Sequence, residues 1–390
     1  MDFDYSEIRY YEDKDLKEVV ERLIAEPTIY RIGRFVFGDI SEQELKNKLR
    51  SYKTVREFQL EFILQIIIKL VEKSTDLVTS TGAGKYSHDR NAKYVFITNH
   101  RNIVMDASLL NYELSEEYGD DFESTSIAIG NNLLKMPWIK DLARLNKSFI
   151  VIRDAGVQQM LENSKVLSQY MRTLITESKS SVWIAQREGR TKDGNDYTQP
   201  GLLKLLQMSG SKDFVENYSN LHIVPVSISY ENDPCISNKL IELASIENTG
   251  EYIKGPLDDF NSMYNGLTGQ KGRVHLNFGD EITADVLSKI DGDMPRNEKI
   301  KRLAEVIDGF IYETYKLWPN NYIATDIINN NTQFVSEYSE SEKLKFIETM
   351  EGILSELEGD YNQFKTIYLK MFAYPVKNAN KNTDIYNFSF

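Results

Sequence analysis

Apolar and polar positions fall into three textures along the 390-residue chain. Up to about residue 75 the spacing is helical. SEQELKNKLR opens on Ser41 with Glu44 three residues on, the arrangement of a capping box. Residues 54–73 carry apolar side chains round most of a helix circumference, which predicts core, or a helix lying against a membrane or a partner. Between 73 and 93 the chain turns polar and rich in Ser, Thr and Gly, and reads as linker or loop. Short apolar runs then appear at 94–98, 125–130, 148–152, 181–185, 222–230 and 273–279. Helical stretches separate them near 106–117, 131–145, 157–177, 201–209 and 236–245. Strand alternating with helix predicts an α/β fold, a mixed and largely parallel sheet flanked by helices. From 303 to 370 the pattern is again helical, with a solvated acidic face between Glu340 and Asp360. The expected organisation is an N-terminal helical segment 1–75, an α/β domain 76–320 and a C-terminal helical segment 321–390.

Composition narrows the function classes. With 41% hydrophobic residues, 23 Tyr and 18 Phe the chain is not disordered. A net charge of −13 argues against a nucleic-acid binder, which needs Lys and Arg against phosphate. The single cysteine, Cys235, excludes an intrachain disulfide and a cysteine-cluster metal site, and fits a reducing, cytoplasmic setting. Residues 1–20 lack the apolar run of a secretory signal. The most apolar stretch, 58–71, is about 21 Å long as a helix. That falls short of the ~30 Å hydrocarbon core of a bilayer.

In open α/β sheets the chemistry gathers at the carboxyl ends of strands, and four strand ends carry candidates. After YVFIT come Asn99, His100, Arg101 and Asn102, with Asp106 at the start of an apolar helix. A histidine with a carboxylate a turn or two along can form a base and its orienting partner. The plain alternative is an aspartate at a helix N-terminus beside a surface histidine. The strand SFIVI ends on Arg153 and Asp154, and residues 131–153 hold five cations (Lys135, Lys140, Arg144, Lys147, Arg153) against Asp141. Such a patch suits a phosphate or carboxylate, or is a solvated helix face. Next, Arg187, Glu188, Gly189, Arg190 and Lys192 follow SVWIA directly. Glycine lets backbone approach an anion there and arginine supplies forked donors, unless this is an ordinary basic turn. Finally, Pro225 stands near the start of the strand ending at Tyr230, where an edge or bulge is expected. TGAGK at 81–85 is no phosphate loop, because Thr79 and Tyr86 stand where Gly and Ser or Thr are needed.

In this order the four clusters resemble the motifs of the glycerolipid acyltransferases, the glycerol-3-phosphate and 1-acylglycerol-3-phosphate acyltransferase family. Its motifs are Asn-His, four residues, Asp; an apolar strand ending in Arg; a Glu-Gly-Thr-Arg type turn; and an apolar strand with Pro. The resemblance covers about 90–280, with RVHLNFGDEI similar to the late strand of such domains. Here five residues separate His100 from Asp106, and Lys147 stands where the family usually has Gly. The third motif aligns either on Glu188-Gly189, one residue short, or on Arg190, with Glu and Gly displaced. These departures mark a divergent branch.

The resemblance implies transfer of a fatty acyl group from an acyl thioester, acyl-CoA or acyl carrier protein, to a hydroxyl of a glycerophosphate or lysophospholipid. His100 would be the general base and Asp106 its orienting partner. Asn99, Arg101, Arg153, Arg187, Glu188, Gly189, Arg190 and Lys192 would bind substrate, and Pro225 would border an acyl groove. No metal or bound cofactor is implied. Two alternatives remain: an O-acyltransferase acting on a non-phosphate lipid such as an amino-acid lipid, or a non-catalytic lipid-binding protein of the same fold. Either enzyme reading predicts peripheral membrane contact, through Phe58, Phe62, Ile66 and Ile67 of the N-terminal helices.

Overall fold

The computed structural model describes residues 4–86, 93–153, 156–177 and 180–381. Seven strands form one sheet: β1 Leu77–Thr81, β2 Val95–Thr98, β3 Ser126–Gly130, β4 Ser148–Val151, β5 Val182–Ala185, β6 Ile223–Tyr230 and β7 Arg273–Phe278. Their order is β1-β7-β6-β2-β5-β3-β4. Neighbours pair in parallel except β6 with β7, so β7 and β1 run together against the other five. The α/β fold and the mixed, largely parallel sheet are as the alternation of runs predicts.

β1 is the departure. It lies inside 73–93, where a linker is expected, and residues 87–92 of that stretch fall outside the described residues. LVTST is β-branched but mostly polar, so it suits a half-exposed edge strand while lacking an apolar run to announce it. Its Thr79 hydroxyl meets His275 Nδ1 of β7 at 2.8 Å.

Alternation along the strands feeds a core on each side of the sheet. Phe96, Trp183, Val224, Val226 and Ile228 pack under the N-terminal helices and the helix Met105–Tyr118. Val95, Ile97, Val182, Ile184 and Ile223 pack under Val157–Thr176, Pro200–Gln207 and Arg296–Thr314. The helices Pro319–Asn329, Glu340–Ser355 and Tyr361–Ala379 share a third core around Ile323, Phe346 and Phe372.

The Ser41 capping box is present, Glu44 Oε2 accepting from Ser41 N at 2.9 Å. The apolar helix after Thr54 is interrupted by a π-helical turn at Gln59–Ile63. Phe58 and Phe62 are fully enclosed, Ile67 is buried and Ile66 packs partly against the same cluster. One side of the stripe is thus core, while Leu60, Leu64, Ile66, Ile68 and Leu70 are half-buried. The expectation of a lipid-facing surface is therefore corrected at Phe58, Phe62 and Ile67, which are enclosed. Among the described residues no helix is long and apolar enough to cross a membrane.

Candidate active site

β2 is buried along its whole length and ends at the middle of the sheet, between β6 and β5. Where its backbone leaves the ladder, a side chain takes over the pairing. Asn99 Oδ1 accepts from Ile228 N at 2.7 Å and Asn99 Nδ2 donates to Ile228 O at 3.0 Å. This position makes Asn99 a fixed corner under the turn, wholly enclosed.

His100 follows at the surface of that corner. Its Nδ1 lies 2.8 Å from Asp106 Oδ2, and its ring meets the edge of Trp183 at 5.8 Å between centroids. The five-residue spacing closes because Asn102 folds the intervening chain. Asn102 Oδ1 accepts from Val104 N and Met105 N at 3.2 and 3.1 Å, and its Nδ2 donates to Gly266 O at 2.9 Å. Asp106 Oδ2 also accepts from Arg101 N at 2.7 Å and Asn102 N at 3.0 Å. Its Oδ1 accepts from Tyr230 Oη at 2.7 Å. Four donors surround this buried carboxylate, and its Oδ2 faces His100 Nδ1, which places the ring proton there. The Nε2 lone pair is then left to take a proton, the geometry a general base needs.

Arg101 turns away from the surface. Its Nη2 pairs with Asp196 Oδ2 at 2.6 Å and donates to Gly194 O at 3.2 Å, and the guanidinium lies 5.5 Å from the Tyr315 ring centroid. Gly194 has φ +84°, and a Cβ there would fall 2.1 Å from the Met371 carbonyl. That carbonyl has no helical donor because the residue four ahead is Pro375. The C-terminal helix thus presses on the loop that holds Arg101. A recess lined by Arg101, Asn102, Tyr230, Tyr315 and Phe372 opens between them.

The second motif brings Arg153 to the end of β4, where its backbone N donates to Asn131 Oδ1 at 3.2 Å. The guanidinium lies over Gly130, so close that a Cβ there would sit 3.1 Å from Nε. Across from it, Glu188 Oε1 is 3.6 Å away. Asp154 lies outside the described residues. Lys147 has φ +51°, which explains why glycine suits this position. Burial pushes its amine down in pKa, against the opposing pull of Glu123 at 3.4 Å. The basic patch expected over 131–153 is therefore not a single surface. Arg144 donates to the carbonyls of Arg9 and Ser6, and Lys147 faces Glu123.

The third motif is stitched to the first. Gln186 N donates to Thr98 O at 2.8 Å and Thr191 N to His100 O at 2.7 Å. Between these ties the turn projects its charged residues. Arg187 stacks on Tyr197, its Cζ 4.4 Å from the ring centroid, while Glu188 is exposed. Gly189 supplies the positive φ of the turn, +70°. Arg190 reaches toward Cys235, whose thiol burial pushes up in pKa while Arg190 pulls it back. Lys192 is ion-paired with Glu242.

Pro225 is not at an edge. It is buried in mid-sheet opposite Ile97 of β2. Its carbonyl accepts from Gly279 N just past the end of β7, and the Gly279 carbonyl, deprived of a partner by the proline, accepts from the Tyr86 hydroxyl.

The structure thus brings His100, Asp106, Asn99 and the 186–192 turn together, with Arg153 facing the turn. Sequence reasoning missed Tyr230 and Asp196. Tyr230 had a signal, a polar tip ending an apolar strand beside a candidate site. Asp196, in a loop of many polar residues, had none. Among the described residues no group of three or more His, Cys, Asp or Glu is arranged to hold a metal ion.

Residues 78–229 match the family model described as Acyltransferase. This segment contains β2, β5, most of β6, and the residues His100, Asp106, Arg153, Arg190 and Pro225 on which the resemblance is read. No curated protein matches the chain. Among solved structures, the chain is similar to the 1-acyl-sn-glycerophosphate (LPA) acyltransferase PlsC from Thermotoga maritima. The identity is 14% and the TM-score 0.39, over 77% of this chain and 97% of that one. At that score the likeness carries no argument.

Proposed function

We propose, from the premise that residues 78–229 form an acyltransferase-family domain, that the chain moves a fatty acyl group from an acyl thioester to a lipid hydroxyl. The observation that carries this reading is the His100–Asp106 pair at 2.8 Å, buried behind and open in front, at the end of a central strand. His100 Nε2 takes the proton of the acceptor hydroxyl as its oxygen attacks the thioester carbonyl. The tetrahedral species expels the thiolate, which recovers that proton from the imidazolium. Asp106 stabilises the imidazolium in between, and no serine or cysteine nucleophile is needed. Donor and acceptor enter as substrates, acyl-CoA or acyl carrier protein on one side and a glycerophosphate or lysophospholipid on the other. Arg153 and Arg190 are the cations best placed for an acceptor phosphate: among the described residues Arg153 meets Glu188 only at 3.6 Å and Arg190 Nη1 has no hydrogen-bond partner.

A second acceptor class is favoured by a specific observation. Arg101 is paired with Asp196, Lys192 with Glu242, and Arg187 is stacked on Tyr197. With three of the five expected cations engaged, a non-phosphate lipid hydroxyl, as on an amino-acid lipid, also fits. The test is acceptor-dependent release of free thiol from oleoyl-CoA by the purified chain, with product identified by mass spectrometry. Lysophosphatidate, glycerol 3-phosphate and a lyso-amino-acid lipid are compared. Thiol release with none of them, from protein that is folded, would overturn the enzyme reading.

A further inference from the structure

We propose that Tyr230 is a positioning residue for the His100–Asp106 pair, its hydroxyl anchoring the carboxylate oxygen that His100 does not use. The inference rests on the reading of His100 as the base. Register explains how a residue so distant in sequence arrives there. Thr98, the last residue of β2, pairs with Val226, so β6 runs four residues further before it ends at Tyr230. At about 3.3 Å per residue, that overhang carries it roughly 13 Å past the end of β2. Val224, Val226, Ile228 and Tyr230 share one face by the two-residue period, the face under the helix that bears Asp106.

The contact is built to run in one direction. Tyr230 is buried, and burial first, then the charge of Asp106, pushes its phenol well above the ordinary pKa. It is therefore a donor to Asp106 and never a competing anion. Asp106 arrives one position later than in the family motif and is gripped from both sides. Oδ2 is held by His100 and two backbone N–H groups, and Oδ1 by Tyr230. Without the second grip the carboxylate can rotate about its last bond and carry the imidazole off line. Beyond the pair, the charged groups around this corner are Arg101 with Asp196, and Lys239 with Asp233. Each of these cations pairs with its own carboxylate, and the group that meets Asp106 Oδ1 is the neutral hydroxyl of Tyr230.

The experiment uses the full chain. The proton between His100 Nδ1 and Asp106 gives a downfield NMR signal, identified by its loss in His100→Gln. In Tyr230→Phe this signal should move further downfield, because a carboxylate with one donor fewer holds the shared proton more tightly. With 3-fluorotyrosine at 230, a stronger donor of nearly the same volume, it should move upfield. A purely structural tyrosine would not produce opposite shifts. With oleoyl-CoA and lysophosphatidate, Tyr230→Phe should lower kcat roughly tenfold, the loss of one hydrogen bond to a charged group, while acceptor KM stays within about twofold. If Tyr230→Phe does not fold, the fluorotyrosine protein decides. An unmoved signal or an unchanged kcat overturns the inference. An active His100→Gln overturns the base reading instead, and the NMR result then still judges the Tyr230 contact.

Discussion

Two turns leave the same end of the sheet, one after β2 and one after its neighbour β5, and they are finished differently. In the first, Asn99, Asn102 and Asp106 have hydrogen bonds on both ends of their side chains. In the second, both amide atoms of Gln186, Nε of Arg187, Nη1 of Arg190 and the hydroxyl of Thr191 are buried without a protein partner. Buried polar atoms are costly unless something satisfies them, so among the described residues the second turn is the less completely paired of the two. The first turn holds a fixed geometry, as proton transfer requires. The second presents donors, as recognition requires. Under the proposed function the first turn would carry the proton transfer and the second the recognition of the acceptor.

The largest effect should come from the rigid turn. General-base catalysis is typically worth ~10²–10⁴-fold, and His100→Ala should lower kcat by that order with circular dichroism unchanged. Asp106→Asn should cost less if the carboxylate only orients the ring. Full activity from a folded His100→Ala protein would remove the distinction between the turns. Next comes Arg101, which joins the turns through Asp196. Removing one partner of a buried pair costs about 3–5 kcal/mol, so Arg101→Ala should show a large loss in urea unfolding. The acceptor KM of whatever remains folded should be little changed. A stable variant with a raised acceptor KM would instead return Arg101 to the binding surface.

The same contrast decides what the sequence makes legible. The strands β2 to β7 announce themselves as apolar runs because both faces of the sheet are covered. β1 does not, because an edge strand of Val, Ser and Thr resembles a loop. The His100–Asp106 pair is legible since both residues lie within one turn of chain. Tyr230 and Asp196 reach the pair and its neighbour Arg101 from 124 and 95 positions away, and only register and loop packing bring them in. Net local charge misled at 131–153, because sequence counts cations without showing that Arg144 and Lys147 face inward. At 58–67 the apolar spacing does not show which side is covered, and Phe58, Phe62 and Ile67 are on the covered one.

In the open turn and across from it, Arg190→Ala and Arg153→Ala should each raise the KM for a phosphate-bearing acceptor and leave donor KM nearly constant. Charge-assisted hydrogen bonds are worth about 1.5–3 kcal/mol, or roughly one to two decades. Lys should rescue Arg190 poorly, because it lacks the planar fork. Lys192→Ala should do less than either, since Glu242 already holds that ammonium. Equal effects on donor and acceptor KM would mean that the turn grips the donor's phosphates, and a flat response would favour the non-phosphate acceptor.

The smallest effect concerns how the two turns are buttressed from below. Thr198, at the end of the loop that carries Asp196, donates its backbone N–H to Asp308 Oδ1 at 2.6 Å. Burial pushes the Asp308 carboxyl up to about 7, against the hydrogen bonds from Thr198, and the charge of Asp196 adds to the rise. The folded protein therefore keeps this proton to a higher pH than the unfolded chain, where an aspartate titrates near ~3.9. A raised carboxyl contributes stability that is complete below the unfolded value and is lost as pH rises through about 7. An asparagine side chain in its place stays neutral at every pH and keeps an oxygen for Thr198. Asp308→Asn should match the parent near pH 4 and be the more stable of the two at pH 8, the gap opening as pH rises toward about 7. Urea unfolding at both pH values measures the difference. If the two proteins keep the same gap from pH 4 to 8, Asp308 is ionised throughout and the support beneath the open turn is a charge, not a shared proton.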